Sequence, residues 1–135
     1  MTKGLIWFRS DLRIDDNPAL LEAANSCDEL IGIYTFSQKQ WNLHHESNVK
    51  QDFLIQNLIT LEKQLMKLHI PLIVLQTDTF EVLPKDLQKF IDIRQIKSCY
   101  WNKEFGINEN KRDDAVEILL SANNIQISRY HDQVV

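Results

Sequence analysis

The sequence predicts a three-layer α/β domain built on a five-stranded parallel sheet. Three observations carry that expectation. Apolar strand-like runs alternate with helical patterns along the chain, the first run is apolar on both faces, and 135 residues are enough to bury a core without disulfides or metal. No repeat, linker or low-complexity stretch interrupts the pattern, so residues 1–135 are expected to form one domain.

The elements follow in order. Leu5, Ile6, Trp7 and Phe8 form an unbroken apolar run, as expected of a strand covered on both faces. Arg9, Asp11, Arg13, Asp15 and Asp16 then crowd the carboxyl end of that strand, the place where open α/β sheets set their ligand crevices. Asn17 is a good N-cap and Pro18 suits a first helical turn, so a helix is predicted to start at Pro18. Leu30 to Phe36 reads as a second strand, and Ser37 to Ser47 as a polar loop holding Trp41, His44 and His45. In the helix that follows, Phe53, Leu54, Leu58, Leu61, Leu65 and Leu68 recur at a helical period and are expected on one buried face.

Pro71 to Leu75 is a third strand, with its proline at the first residue where a missing donor is tolerated. Thr79 to Ile93 is a weaker helix, broken or delayed by Pro84; Ile96 to Trp101 is a fourth strand, Glu109 to Ala122 a fourth helix and Ile125 to Tyr130 a fifth strand. Right-handed crossovers that first run one way from the central strand and later reverse give the order 3-2-1-4-5, a Rossmann-like arrangement with a switch point. The usual phosphate chemistry of such sheets is not visible. Gly4, Gly32 and Gly106 are dispersed, and neither GxGxxG nor GxxxxGK[ST] occurs.

Fifteen Lys and Arg against nineteen Asp and Glu give a net charge of −4, so the composition carries no basic footprint for nucleic acid. Cys27 and Cys99 lie far apart in apolar surroundings and read as free thiols of a reducing compartment. No run approaches the roughly 18 apolar residues of a membrane span, so a soluble, cytoplasmic protein is expected. The chain stops on Val134 and Val135 directly after a strand, which suggests a piece of a longer protein.

Three segments carry a resemblance. LIWFRSDLRIDDNPAL at 5–20, QKQWNLH at 38–44 and WNKEFGINENKRD at 101–113 match, in order and spacing, the α/β domain of the DNA photolyase and cryptochrome family. The chain most resembles the N-terminal antenna domain of the bacterial folate-class enzymes that act on cyclobutane pyrimidine dimers. That resemblance implies a 5,10-methenyltetrahydrofolate antenna held by His44, Asn108 and Glu109. It also implies excitation transfer to a reduced FAD, and electron donation from that flavin to damaged DNA. FAD and DNA would be held by a helical C-terminal domain of the same protein, absent from this chain, so the chain alone is expected to lack catalytic residues and metal and to be a monomer. Asn110 departs from the pattern, where such members more often carry arginine.

The residue types suit the implied ligand. A pterin presents a ring N–H beside an exocyclic amino group, and one ionised carboxylate such as Glu109 can accept both. Asn108 can donate to the ring oxygen, and His44 offers a flat face and a donor. Each also has a plain structural role: Asn108 as N-cap, Glu109 as a first-turn acid, His44 as a solvated loop residue. Trp7 and Trp101 are expected in the core, and the charged loop Arg9 to Asp16 is assigned to an interface with a second domain. Three other functions stay open: a cryptochrome-type blue-light receptor domain, in which the same fold signals, a nucleotide-binding α/β module, and a domain that has lost its pigment and serves only as scaffold. A deazaflavin is the rival pigment.

Overall fold

The computed structural model describes residues 2–37, 48–77, 81–104 and 106–131. Five strands, β1 (Lys3–Phe8), β2 (Glu29–Phe36), β3 (Leu72–Gln76), β4 (Ser98–Asn102) and β5 (Gln126–Tyr130), alternate with four helices, α1 (Pro18–Ser26), α2 (Asn48–Lys67), α3 (Leu83–Arg94) and α4 (Ile107–Ala122). The sheet is parallel throughout and ordered β3-β2-β1-β4-β5, as expected from the reversal of crossover direction. Central β1 pairs Leu5 with Ile31 on one side and with Cys99 on the other.

Alternation along β1 divides the core into two layers. Leu5 and Trp7 pack with Ile33, Cys99 and Trp101 under α3 and α4, through Leu87, Ile91, Val116 and Leu120. Ile6 and Phe8 face the opposite way, against Ala19, Leu20 and Ala23 of α1 and Leu61 and Leu65 of α2. All four β1 side chains from Leu5 to Phe8 are essentially inaccessible, which is why the run needs no polar alternation.

Helix α1 begins where the sequence places it: Asn17 Oδ1 accepts from Leu20 N at 3.1 Å, and Pro18 occupies the first turn. Helix α3 is delayed to Leu83, as the proline suggests, because Pro84 lacks the N–H of a helix interior but fits the first turn. The strands β3, β4 and β5 start one or two residues later than read from the sequence. Helix α4 begins earlier, at Ile107, with Gly106 as N-cap; its carbonyl accepts from Asn110 N at 2.9 Å. Asn108 is therefore not the cap, and Glu109 is the third helical residue rather than the first.

Helix α2 departs most from its expected single buried face. Leu61 and Leu65 are fully buried, yet Phe53 is 69 % and Leu68 51 % exposed. Twenty helical residues span about 30 Å, whereas the five-residue β3 beneath spans about 17 Å. A helix that long overshoots the strand it crosses, so its periodic leucines cannot all meet the sheet.

Helices α2, α3 and α4 are followed by non-glycine residues in the left-handed region: His69 (φ 62°), Gln95 (φ 57°) and Asn124 (φ 65°). The chain's few glycines serve close approach instead. A Cβ at Gly4 would lie 2.5 Å from Cys27 Sγ, 3.1 Å from Leu30 Cδ2 and 3.2 Å from Ser98 Oγ. Gly4→Ala is expected to destabilise the domain by about 1 to 3 kcal/mol, measured by urea unfolding, and Cys27→Ala should restore most of the loss. An unchanged midpoint for Gly4→Ala alone would show that the packing there is loose.

Candidate functional site

The carboxyl edge of the sheet is the chemically dense part of the molecule. Its centre lies between β1 and β4, at the switch point where ligand crevices of such sheets occur. Here the chain fills that crevice itself. Arg9 turns inward, 6 % exposed, and donates through Nη1 to Asp113 Oδ1 at 2.7 Å and through Nη2 to the Asn102 carbonyl. Asn102 Nδ2 donates to Asp11 Oδ2 and to Asn17 Oδ1, both at 2.7 Å, while its own Oδ1 accepts from Ala19 N at 3.1 Å. Asp11 Oδ1 accepts from Arg9 N at 2.9 Å. The first turn, the end of β4 and the side of α4 are thus tied through one polar network.

Aromatic rings extend it. Trp7 and Trp101 meet edge to face with centroids 5.2 Å apart. The guanidiniums of Arg9 and Arg112 lie 4.5 and 5.1 Å from the Trp7 centroid, within cation–π range. Arg112 also donates to Asp113 Oδ1 at 3.2 Å and to Glu104 Oε1 at 2.6 Å. Buried charges survive only when paired and hydrogen-bonded, and Asp113, with no exposed surface, has two guanidiniums.

Burial pushes the Asp11 carboxyl above its ordinary value, against the lowering effect of the hydrogen bonds from Arg9 and Asn102. A raised carboxyl pKa in the folded state favours folding in acid, so Asp11 contributes less as pH rises through that pKa. Burial likewise pushes the Cys99 thiol up to about 12, and the Tyr34 phenol to about 12 with help from the Glu104 carboxylate. Cys99 is an inert core thiol; Cys27 is half-buried, 3.5 Å from the Tyr100 hydroxyl.

The charged loop is therefore corrected in part. Its first half, Arg9 and Asp11, is internal structure rather than an interface, because both side chains are consumed by Asn102 and Asp113; Asp15 and Asp16 remain exposed. Sequence reading missed this network. Its signal was an acid, Asp113, at the helical period of Val116 and Leu120, where the pattern demands an apolar residue.

Of the three residues expected to hold a ligand, Asn108 and Glu109 stand together on the first turn of α4, which follows β4 and so lies at the carboxyl edge. Asn108 is exposed and Glu109 half-buried. The Glu109 carboxylate folds back over Gly106: a Cβ there would overlap Oε2 and lie 2.5 Å from Cδ. His44, with Trp41 and His45, lies outside the described residues. A groove between α1 and the segment that follows α2, lined by Ile14, Leu21, Ala24, Leu30, Leu68 and Ile70, includes neither Asn108 nor Glu109.

The family model for DNA photolyase matches residues 4–135. The chain belongs to the DNA photolyase family. A deoxyribodipyrimidine photo-lyase of Buchnera aphidicola subsp. Acyrthosiphon pisum is 35 % identical across the whole chain, which covers 28 % of that relative. Among solved structures, the cryptochrome of Synechocystis superposes with a TM-score of 0.79 over 97 % of the chain and 27 % of its own length, at 21 % identity. An archaeal photolyase from Sulfolobus tokodaii, described with two FAD molecules that imply a novel light-harvesting cofactor, gives 0.78 over 96 % of the chain and 29 % of its own, at 23 % identity. These two likenesses show the fold, that of the α/β domain shared by photolyases and cryptochromes. The chain thus spans little more than a quarter of the length of the photolyases it matches. Among the described residues no helix is long and apolar enough to cross a membrane.

Proposed function

We propose that this chain is the antenna domain of a photolyase that repairs cyclobutane pyrimidine dimers, with FAD and damaged DNA held by a helical C-terminal domain of the same protein. The observation that carries the reading is the pairing of Asn108 and Glu109 on the first turn of α4, at the edge of the sheet where ligands of this fold class gather. The donor set fits a reduced pterin. Glu109 can accept from the ring N–H and the amino group together, and Asn108 can donate to the ring oxygen. The family's motif order, with QKQWNLH before α2, adds His44 as the third contact.

Bound 5,10-methenyltetrahydrofolate would supply near-ultraviolet absorption and excitation transfer to the flavin. The chain's own residues do the positioning. The Arg9, Asn102 and Asp113 network fixes β4 and the flank of α4, so the first turn of α4 stands on a rigid base. Photolyase is favoured over cryptochrome signalling because a curated photo-lyase is 35 % identical across the whole chain. A nucleotide-binding role is disfavoured by the filled switch-point crevice and the missing glycine motifs.

The test is reconstitution. Full-length protein should take up one equivalent of 5,10-methenyltetrahydrofolate with a near-ultraviolet band, whereas the 135-residue chain should hold it weakly and hold no FAD. A pigment absorbing as a deazaflavin or a second flavin, or stoichiometric FAD in the 135-residue chain, would overturn the assignment.

A further inference from the structure

We infer that Gly106 sets the ligand affinity of this site without touching the ligand, by giving Glu109 a parked position; the inference rests on the antenna reading above. Gly106 is the N-cap of α4 in an extended conformation (φ −71°, ψ 150°) that any residue can adopt, and no side chain caps this helix end. Its lack of a side chain is therefore not required by the backbone. What the missing Cβ does permit is the Glu109 pose, since a Cβ would overlap Oε2 and sit 2.5 Å from Cδ, and Oε1 would remain 3.2 Å away.

In that pose the carboxylate lies close to the amino end of its own helix, where the helix dipole favours a negative charge. A carboxylate held there is turned toward its own backbone. To accept two hydrogen bonds from a pterin it must rotate outward and give up the favourable position. The parked and outward poses form a two-state equilibrium on one side chain, and apparent affinity falls by the fraction of molecules already outward. Because the group in the way is the far end of a flexible side chain, a Cβ at position 106 displaces the carboxylate rather than breaking the helix.

The experiment compares Gly106→Ser and Gly106→Ala. Serine adds the Cβ and brings a capping oxygen, so it evicts Glu109 while keeping the helix end satisfied. In full-length protein titrated with 5,10-methenyltetrahydrofolate, both variants should bind more tightly, by about two- to fivefold if parking is worth what a charge at a helix start usually is. The gain should vanish when Glu109→Gln is added. In the ligand-free 135-residue chain, the nuclear Overhauser contact between the Gly106 α protons and the Glu109 γ protons should be present, and Gly106→Ser should lose its counterpart. Unchanged or weaker binding in both variants, a gain that survives Glu109→Gln, or absence of that contact in the parent chain would overturn the parking mechanism. If Glu109→Gln alone leaves folate binding intact, the antenna reading itself fails and the gating role falls with it.

Discussion

Asp113→Ala is expected to cost about 3 to 5 kcal/mol of folding stability, the usual result of removing one partner of a buried ion pair. Asp113 has no exposed surface, and its Oδ1 receives Arg9 Nη1 at 2.7 Å and Arg112 Nε at 3.2 Å. Without it, Arg9 remains beneath the end of β4, its side chain 5 % exposed and its nearest carboxylate partner reduced to Glu104 Oε1 at 3.9 Å. Domains of this size have only about 5 to 15 kcal/mol in total, so the variant should sit near the edge of folding at 37 °C. Urea unfolding followed by tryptophan fluorescence is a suitable measure, because Trp7 and Trp101 lie inside the network. The paired replacement Arg9→Met with Asp113→Leu, which removes both charges and keeps apolar volume, should recover most of the loss. A shift below about 1 kcal/mol for Asp113→Ala, the range of an exposed ion pair, would mean that the pair does not order this edge.

The second large effect is on ligand binding. Glu109→Gln removes a first-turn charge worth about 0.3 to 1 kcal/mol to the helix. It also removes the anion that should accept two pterin hydrogen bonds, each worth about 1.5 to 3 kcal/mol. At 1.4 kcal/mol per tenfold, folate affinity should fall by about two orders of magnitude or more, while the melting temperature moves little. Asn108→Ala is a clean companion, since Gly106 and not Asn108 caps α4 and the Asn108 side chain is exposed. Both variants of the full-length protein should keep FAD-dependent repair under strong light. Undiminished near-ultraviolet pigment in both would return these residues to helix-start duty.

The fold was legible because its signals are local and periodic. The four-residue apolar run of β1, the Asn17 and Pro18 start of α1 and the alternation of elements each have one physical reading, and together they fix the sheet order. What stayed hidden depends on contacts distant in sequence. Arg9 and Asp113 are 104 residues apart, so a charged loop and an acidic helix could not be paired from their own neighbourhoods. The reach of α2 was misread for a related reason: periodicity reports which side of a helix is apolar, not how much sheet lies beneath it. The α4 cap was misplaced because asparagine is the better capping residue by type, while the chain uses glycine, whose advantage lies in what it leaves room for. The Asn108 and Glu109 pair was legible as a candidate site only through its family motif, since by residue type alone it is an ordinary helix start.

The self-filled crevice between β1 and β4 has a consequence for life in a crowded cell. A parallel sheet of this order is the same platform on which many proteins hold ATP, AMP or dinucleotides, and those metabolites are abundant competitors for any such cleft. Here the Arg9 guanidinium, the Asn102 amide and the Asp113 carboxylate already occupy the ground that a phosphate and ribose would need. Abundant nucleotides therefore find no open cleft at the centre of the sheet, and a chromophore bound at the rim, as proposed above, would be spared the competition.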